Sequence, residues 1–258
     1  MSEPVTTVMI PAYRAEDTVR AAVESALAQT LAQLEVIVVD DGSPDPVAGV
    51  LEGVDDPRLR VIRLPRNRGT GNARNAALRA ARSELVSQLD ADDLWDPRYL
   101  ERVRPRFEDP RVGLVYTNAR LIGHPEGREL MYADADGHPF GLEELYRWND
   151  IIAPTVTLRR EALLRVGGYP GSWLTRCEDW YAYLKLTHAG WRLDYVDEPL
   201  ASYRWPRYGE GHYTRAVLER QELKMWIAWA LRHPRPFPRG QIRWRAGREL
   251  RRLVRRSS

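Results

Sequence analysis

Val36-Ile37-Val38-Val39-Asp40-Asp41-Gly42-Ser43 runs four β-branched residues straight into two carboxylates, a glycine and a serine. Side chains of a β-strand alternate between its faces, so an unbroken apolar run needs both faces covered. This is how a strand reads when helices pack on either side of a largely parallel sheet. Upstream, Val8-Met9-Ile10 reads as the first strand, followed by a helix over 18–29 with Val19, Ala22, Val23, Ala26 and Leu27 on one face. Downstream, Val61-Ile62 is a third strand, a helix covers 72–82, and a fourth strand covers 85–89. Short β-branched runs alternating with helical patterns predict βαβ units and a mainly parallel α/β sheet.

Three of these strands end in polar or special residues: Pro11-Ala12-Tyr13, Asp40-Asp41-Gly42-Ser43 and Asp90-Ala91-Asp92-Asp93. Open α/β sheets bind ligands beyond the carboxyl ends of their strands, so the three clusters are expected to meet at one site. The second half is less regular. Strands are predicted at 113–117 and 155–158, a loop at 132–141, and helices at 178–188 and 215–231.

The 258 residues, 43% of them hydrophobic, suffice for one large α/β domain. The division expected is a body over 1–231, in two halves at 1–117 and 118–231, then a basic helical tail over 232–258. Cys177 is the single cysteine, so no internal disulfide forms and a reducing compartment is the default. No charged start leads into an apolar run, and no apolar run reaches spanning length. A cytoplasmic protein is expected.

The net charge of +3 conceals an asymmetry: residues 232–258 hold ten arginines and one glutamate, leaving 29 basic and 35 acidic residues in the body. Such a tail reads either as a solvated, disordered segment or, with Ile242, Trp244, Leu250, Leu253 and Val254 interspersed, as an amphipathic helix on an anionic membrane. The second reading puts the protein peripherally at the inner face of a membrane. A nucleic-acid partner would rest on the tail alone, without a recognisable binding motif, and is not expected.

Asp90-Ala91-Asp92 carries the chemistry. Carboxylates at i and i+2, where a chain leaves the pleat, can address one ligand, and hard oxygens suit Mg²⁺ or Mn²⁺ completed by phosphates and water. A diphosphate leaving group gathers negative charge and benefits from such a cation. Helix capping near Pro97 would account for Asp93 or Asp96, but not for four acids within residues 90–96.

At this point the chain resembles the family-two inverting glycosyltransferases with the glycosyltransferase A fold. The resemblance spans about residues 5–205. It runs through Val8-Met9-Ile10-Pro11-Ala12-Tyr13, Val39-Asp40-Asp41-Gly42-Ser43, Asn67-Arg68-Gly69 with Ala73-Arg74-Asn75, Leu89-Asp90-Ala91-Asp92-Asp93 and Glu178-Asp179-Trp180. It implies a catalytic domain over 1–231, with a Rossmann-like nucleotide-sugar-binding half (1–117) and an acceptor half (118–231), and a nucleotide diphosphate sugar as donor. In it, Tyr13 stacks on the donor base beside Pro11, and Asp41 bonds the base's ring N–H, favouring uracil or thymine. Arg74 lies near base and phosphates, Asp90 faces ribose and sugar, Asp92 holds the metal, and Asp179 is the general base. Independently of the resemblance, inverting transfer is one in-line displacement that needs a base on the acceptor side, and burial beside a second carboxylate tunes an aspartate for it. Glu178 could be that neighbour or orient the acceptor; the bland reading makes both acids favourable charges at a helix N-terminus.

Trp173, Trp180 and Trp191 are candidates for an acceptor platform, with Trp173 foremost, or else for core packing. Gly69-Thr70-Gly71-Asn72-Ala73-Arg74 lacks the third glycine of a dinucleotide fingerprint, and Cys177 has no histidine placed to activate it. The chain departs from the family at Arg14, where Asn is usual, and lacks the His-x-x-Ser segment, for which Arg204, Arg207 or His212 is a substitute. Gln241-Ile242-Arg243-Trp244 is one residue short of the processive synthases' motif, so single-sugar transfer is expected, to a glycan, lipid-linked or small-molecule acceptor. A degenerate nucleotide-sugar-binding module docked by its tail is the alternative, and a nucleotidyltransferase would need a glycine-rich loop that Pro11-Ala12-Tyr13-Arg14 cannot form.

Overall fold

A computed structural model describes residues 3–132, 141–205 and 214–233. The strands are β1 (Thr6–Ala12), β2 (Leu34–Asp40), β3 (Leu59–Arg63), β4 (Leu85–Gln88), β5 (Leu94–Trp95), β6 (Val112–Ile122), β7 (Val156–Arg159) and β8 (Arg192–Arg204). The helices are α1 (Val19–Leu27), α2 (Val47–Val50), α3 (Thr70–Ala80), α4 (Tyr99–Val103), α5 (Leu142–Leu145), α6 (Arg160–Arg165), α7 (Glu178–His188) and α8 (Arg215–Arg232). The strands form one sheet in the order β3-β2-β1-β4-β7-β6-β8-β5.

The first four strands are parallel, as the alternating patterns predict. Beyond β4 the sheet turns mixed: β7 is antiparallel to both β4 and β6, and β8 runs parallel to β6 and antiparallel to β5. β6 passes through residue 117, where the two halves were expected to meet, so the halves share one continuous sheet.

The apolar runs of β1 and β2 feed two cores. Met9, Ile37 and Val39 pack with α3, α6, α7 and α8 on one face, while Val8, Ile10, Val36 and Val38 pack with α1 and α4 on the other. Both faces are therefore covered, which is what the unbroken apolar run requires. Far from the ligand end, buried Glu35 accepts hydrogen bonds from Thr7 Oγ1 (2.8 Å), Arg82 N (2.8 Å) and Arg82 Nε (3.0 Å). Burial alone would raise its carboxyl pKa, but these donors outweigh it and hold it below the ordinary value.

Two elements depart from the predicted ones. β6 extends five residues beyond 113–117, and 192–204, which has no strand assigned by pattern, is the long strand β8. Its Asp194, Asp197, Glu198 and Pro199 hide the alternation, and the register shifts opposite Pro199. The capping reading of Asp93 is also corrected: its Oδ1 accepts from Arg204 N (2.7 Å), tying β8 to the loop after β4. Asp96 Oδ1 does accept from Arg98 N (2.9 Å), just ahead of α4. Residues 234–258, and with them most of the predicted basic tail, lie outside the described residues, as do 133–140, Arg207 and His212.

Candidate active site

The ends of β1, β2 and β4 meet the start of α7 around one open cavity of about 910 Å³. Pro11, Tyr13, Asp41, Arg74, Asp90, Asp92, Glu178, Asp179 and Trp180 all line it. Residues drawn from five stretches of sequence thus converge where the strand-end rule predicts.

The β2 end is locked by its own carboxylates. Asp40 Oδ1 accepts from Ser43 N (2.8 Å), and Oδ2 receives Arg63 Nη1 (3.0 Å). Gly42 turns the chain at φ 72°, and a Cβ there would lie 2.5 Å from the Arg66 carbonyl carbon. Only glycine meets both demands. Buried Asp41 then accepts from Arg68 N (3.0 Å) and Gly69 N (2.7 Å), fixing the loop that opens α3. Burial is the largest influence on its carboxyl and raises its pKa despite those donors.

From α3, buried Arg74 spans the site, with Nη2 2.6 Å from Asp90 Oδ1 and Nη1 3.2 Å from Glu178 Oε1. The Tyr169 ring lies 5.8 Å from its guanidinium carbon. Burial opposes the Arg74 charge, but Asp90 and Glu178 outweigh it, so the guanidinium stays protonated. Gly71, one turn earlier, has no room for a Cβ against the Pro170 carbonyl oxygen, so α3 packs close to the loop before α7. Arg74 is therefore a buried strut between the β4 end and the α7 start.

α7 begins at Glu178, as predicted, with Cys177 buried ahead of it. Half-buried Asp179 accepts from Trp180 N through Oδ1 (2.6 Å). Burial first, then the Glu178 charge, pushes its carboxyl up to about 7, while Arg74 pulls the other way. Such a carboxylate can hold a proton near neutral pH, which an aspartate in water cannot.

The β4 end gathers carboxylates. Burial raises the pKa of Asp92, and the Asp90 charge adds to it. Asp93 is raised further by burial and by both neighbours, and its buried Oδ2 has no hydrogen-bond partner among the described residues. A divalent cation would relieve this repulsion, and the oxygen donors suit Mg²⁺ or Mn²⁺. No group of three or more His, Cys, Asp or Glu side chains that could hold a metal occurs among the described residues. Asp90 and Asp92, both on the cavity wall, fit a cation that takes one or two carboxylates and draws further ligands from phosphates and water.

The tryptophans separate by environment. Trp180 is buried, donates Nε1–H to the Leu145 carbonyl oxygen (2.7 Å) and meets Trp226 edge-on, yet it reaches the cavity wall. Trp173 is 40% exposed and is not among the residues lining the cavity; its ring meets Tyr181 and the Arg232 guanidinium. Trp191 packs over Gly113 on β6.

Several lining residues carried no sequence signal: Asn149, Ile151 and Ile152 from the loop before β7, and Val217, Leu218 and Gln221 from α8. Arg14 did carry one, as a departure from the usual Asn. It is the non-glycine residue with positive φ among those described, at 52°. Its N–H donates to Ser43 Oγ (3.1 Å), and its guanidinium carbon lies 5.5 Å from the Tyr13 ring centroid. Asparagine adopts this left-handed conformation more readily than arginine, which gives the family's preference a physical cause. Arg204 extends Nε to the Asp92 carbonyl oxygen (3.4 Å), beside the carboxylates.

Among solved structures, the chain is similar to S. aureus TarS in complex with UDP-GlcNAc, with TM-score 0.68 and 21% identity over 85% of this chain and 66% of that one. It is also similar to the mannosyltransferase PcManGT from Pyrobaculum calidifontis in complex with GDP-Man and Mn²⁺, with TM-score 0.67 and 23% identity over 90% of this chain and 66% of that one. These likenesses establish the glycosyltransferase A fold. By sequence, it is 40% identical over 134 residues to the succinoglycan biosynthesis protein ExoO of Rhizobium meliloti (strain 1021), covering 52% of this chain and 38% of ExoO. It is 34% identical over 111 residues to a UDP-Glc:alpha-D-GlcNAc-diphosphoundecaprenol beta-1,3-glucosyltransferase, WfaP, of Escherichia coli, covering 43% of this chain and 44% of WfaP. The chain thus spans less than half the length of these curated relatives. Residues 7–167 match the Glycosyl transferase family 2 profile, and the chain belongs to that family.

Proposed function

We propose that the chain is a metal-dependent inverting hexosyltransferase that moves one sugar from a UDP- or dTDP-sugar onto an acceptor hydroxyl, in cell-surface polysaccharide or glycoconjugate synthesis. The observation that carries this reading is the placing of Asp179, whose carboxyl is pushed up to about 7, in the same cavity as Tyr13, Asp41, Asp90 and Asp92. Tyr13, 42% exposed at the cavity wall, offers a ring face for the nucleobase beside Pro11. Asp41, already bound to the 68–69 loop, reads the ring N–H of the base. Arg74 and Asp90 orient the sugar and the phosphates.

Asp92, with Asp90 beside it, would hold Mn²⁺ or Mg²⁺, which offsets the charge gathering on the departing diphosphate. Asp179 takes the proton of the acceptor hydroxyl as its oxygen bonds to the anomeric carbon and the carbon–oxygen bond to the diphosphate breaks. Glu178 keeps Asp179 basic and anchors Arg74, so the donor and acceptor sides are coupled through one ion-paired chain. Trp180 supplies an apolar wall for the acceptor sugar, and Trp173 stands as a more distant acceptor contact. The Mn²⁺ and GDP-Man bound by PcManGT, the UDP-GlcNAc bound by TarS and the diphosphoundecaprenol-linked acceptor named for WfaP support this assignment of donor, metal and acceptor class.

The test is nucleoside diphosphate release from a panel of nucleotide sugars with Mn²⁺. Release from one UDP- or dTDP-sugar, abolished by EDTA, by Asp92→Ala and by Asp179→Asn, is the expected result. Silence across the panel, with no donor binding by calorimetry, would overturn the reading.

A further inference from the structure

We propose that the outer face of α8 docks on an anionic phospholipid surface. One side of this helix is core: Met225, Trp226 and Trp229 are buried. A helix that buries one side ordinarily shows water a polar one. Here Leu223, Ile227 and Leu231 are 49%, 52% and 79% exposed. They recur every fourth residue, which aligns them in one stripe along the helix. Single exposed apolar side chains are commonplace, but three aligned ones mark a surface that meets something apolar.

The charges around the stripe select the partner. Arg220 and Lys224 are exposed on the same face and Arg232 at its end, while the acids nearest the stripe, Glu219 and Glu222, are only partly exposed. The 25 residues that follow His233 contain nine arginines and one glutamate, with Ile242, Trp244, Leu250, Leu253 and Val254 among them. A cationic rim around an apolar stripe is the pattern by which helices lie in the headgroup region of anionic bilayers. The following segment carries the same sign as the rim, so electrostatics does not draw it onto the stripe. A second copy packed against it in parallel would set Arg220 and Lys224 against their own equivalents. An anionic lipid surface satisfies the stripe, its rim and the adjoining segment at once. No helix among the described residues is long and apolar enough to cross a membrane.

The attachment has a geometric consequence. Val217, Leu218 and Gln221, in the first turns of the same helix, line the cavity. Docking along α8 therefore brings one wall of the cavity next to the bilayer, where a lipid-linked acceptor would present its sugar. That consequence rests on the proposed function; the binding does not.

The full chain is sedimented with vesicles of phosphatidylcholine alone or with about 30% phosphatidylglycerol. Expected is binding to the anionic vesicles, weakened by salt, and at least roughly tenfold weaker partitioning for L223S/I227S/L231S. R220E/K224E, which keeps the stripe, should weaken binding to anionic vesicles likewise. All five side chains are exposed, so melting temperature and acceptor-independent donor hydrolysis in solution stay at parent values, which separates this proposal from the fate of the proposed function. Equal binding of parent and triple variant would assign attachment to residues 234–258 alone and overturn the proposal. Absence of parent binding would overturn it as well.

Discussion

The environment of Asp179 links the proton it holds to the stability of the fold. Its folded pKa is raised from 3.8 to about 7 by burial and by Glu178, so the folded protein binds this proton more tightly than the unfolded chain. Stability from the protonated form is present at low pH and declines as pH rises from about 4 through about 7. Under the proposed function activity runs the other way, because a general base acts only once it is deprotonated. Asp179→Asn is therefore expected to lower kcat/KM by about 10²–10⁴-fold, yet to melt higher than the parent at pH 8. The gap in melting temperature should close toward pH 4, and parallel thermal scans across that range check the sign. An equal or lower melting temperature at pH 8 would mean that burial does not strain this carboxylate. Arg14 carries a similar cost in its backbone. Arg14→Asn relieves the left-handed φ at a gain of about 1 kcal/mol, partly offset by about 0.5 kcal/mol for the lost contact with Tyr13. A rise in melting temperature of about 1–2 °C is expected, and a fall would show that the Tyr13 contact outweighs the backbone strain. The sequence marked Arg14 as unusual but could not show why, because its left-handed φ accompanies a hydrogen bond to Ser43 at another strand end.

At the level of elements, legibility followed burial. β1, β2, α1 and α3 were readable because interior strands and one-sided helices leave clean periodicities, and α7 because its acids and aromatics follow directly on Cys177. β8 was not, since its acids, Pro199 and bulged pairing with β6 obscure alternation, and β5 is two residues long. The loops of the site were legible in composition but not in purpose. Asp41 was expected to face the base; the structure adds that it fastens the 68–69 loop, a task that needs Gly42 to turn the chain. Gly42→Ala places a methyl group against the Arg66 backbone at a positive φ, with a cost of about 1–3 kcal/mol. We expect it to lower the melting temperature by several degrees and to weaken UDP binding by tenfold or more, measured by calorimetry. Gly53, which also has positive φ but open space around its Cβ position, is the control: Gly53→Ala should cost stability and leave UDP affinity unchanged. Similar losses of affinity in both variants would separate nucleotide binding from the Asp41 loop.

The whole molecule joins a parallel N-terminal half to a mixed C-terminal half through one sheet, with Arg74 bridging Asp90 after β4 and Glu178 on α7. The convergence of the strand-end residues was legible because strand ends in an open sheet share an edge; the opposite wall was not, because Asn149, Ile151, Val217 and Gln221 reach the cavity from a loop and a helix without motif. This construction bears on how the protein unfolds. Neither half owns a closed core, since Met9, Ile37 and Leu114 pack in the same cluster as residues of α7 and α8. Unfolding should then be a single transition, seen at the same temperature by tryptophan fluorescence, which reports mainly on the second half, and by far-UV circular dichroism, which reports on both. A ligand bound at the donor end should move that whole transition. At a nucleotide concentration one hundred times its dissociation constant the stabilisation is about 2.7 kcal/mol, or roughly 5–10 °C for a chain of this size. UDP with Mn²⁺ should produce this shift in both signals, UDP with EDTA a smaller one, and Asp92→Ala should erase the difference between the two. Two separate transitions, with UDP moving only one, would mean that the halves unfold independently. The Arg74 bridge would then be a local contact and not the coupling between donor and acceptor sides.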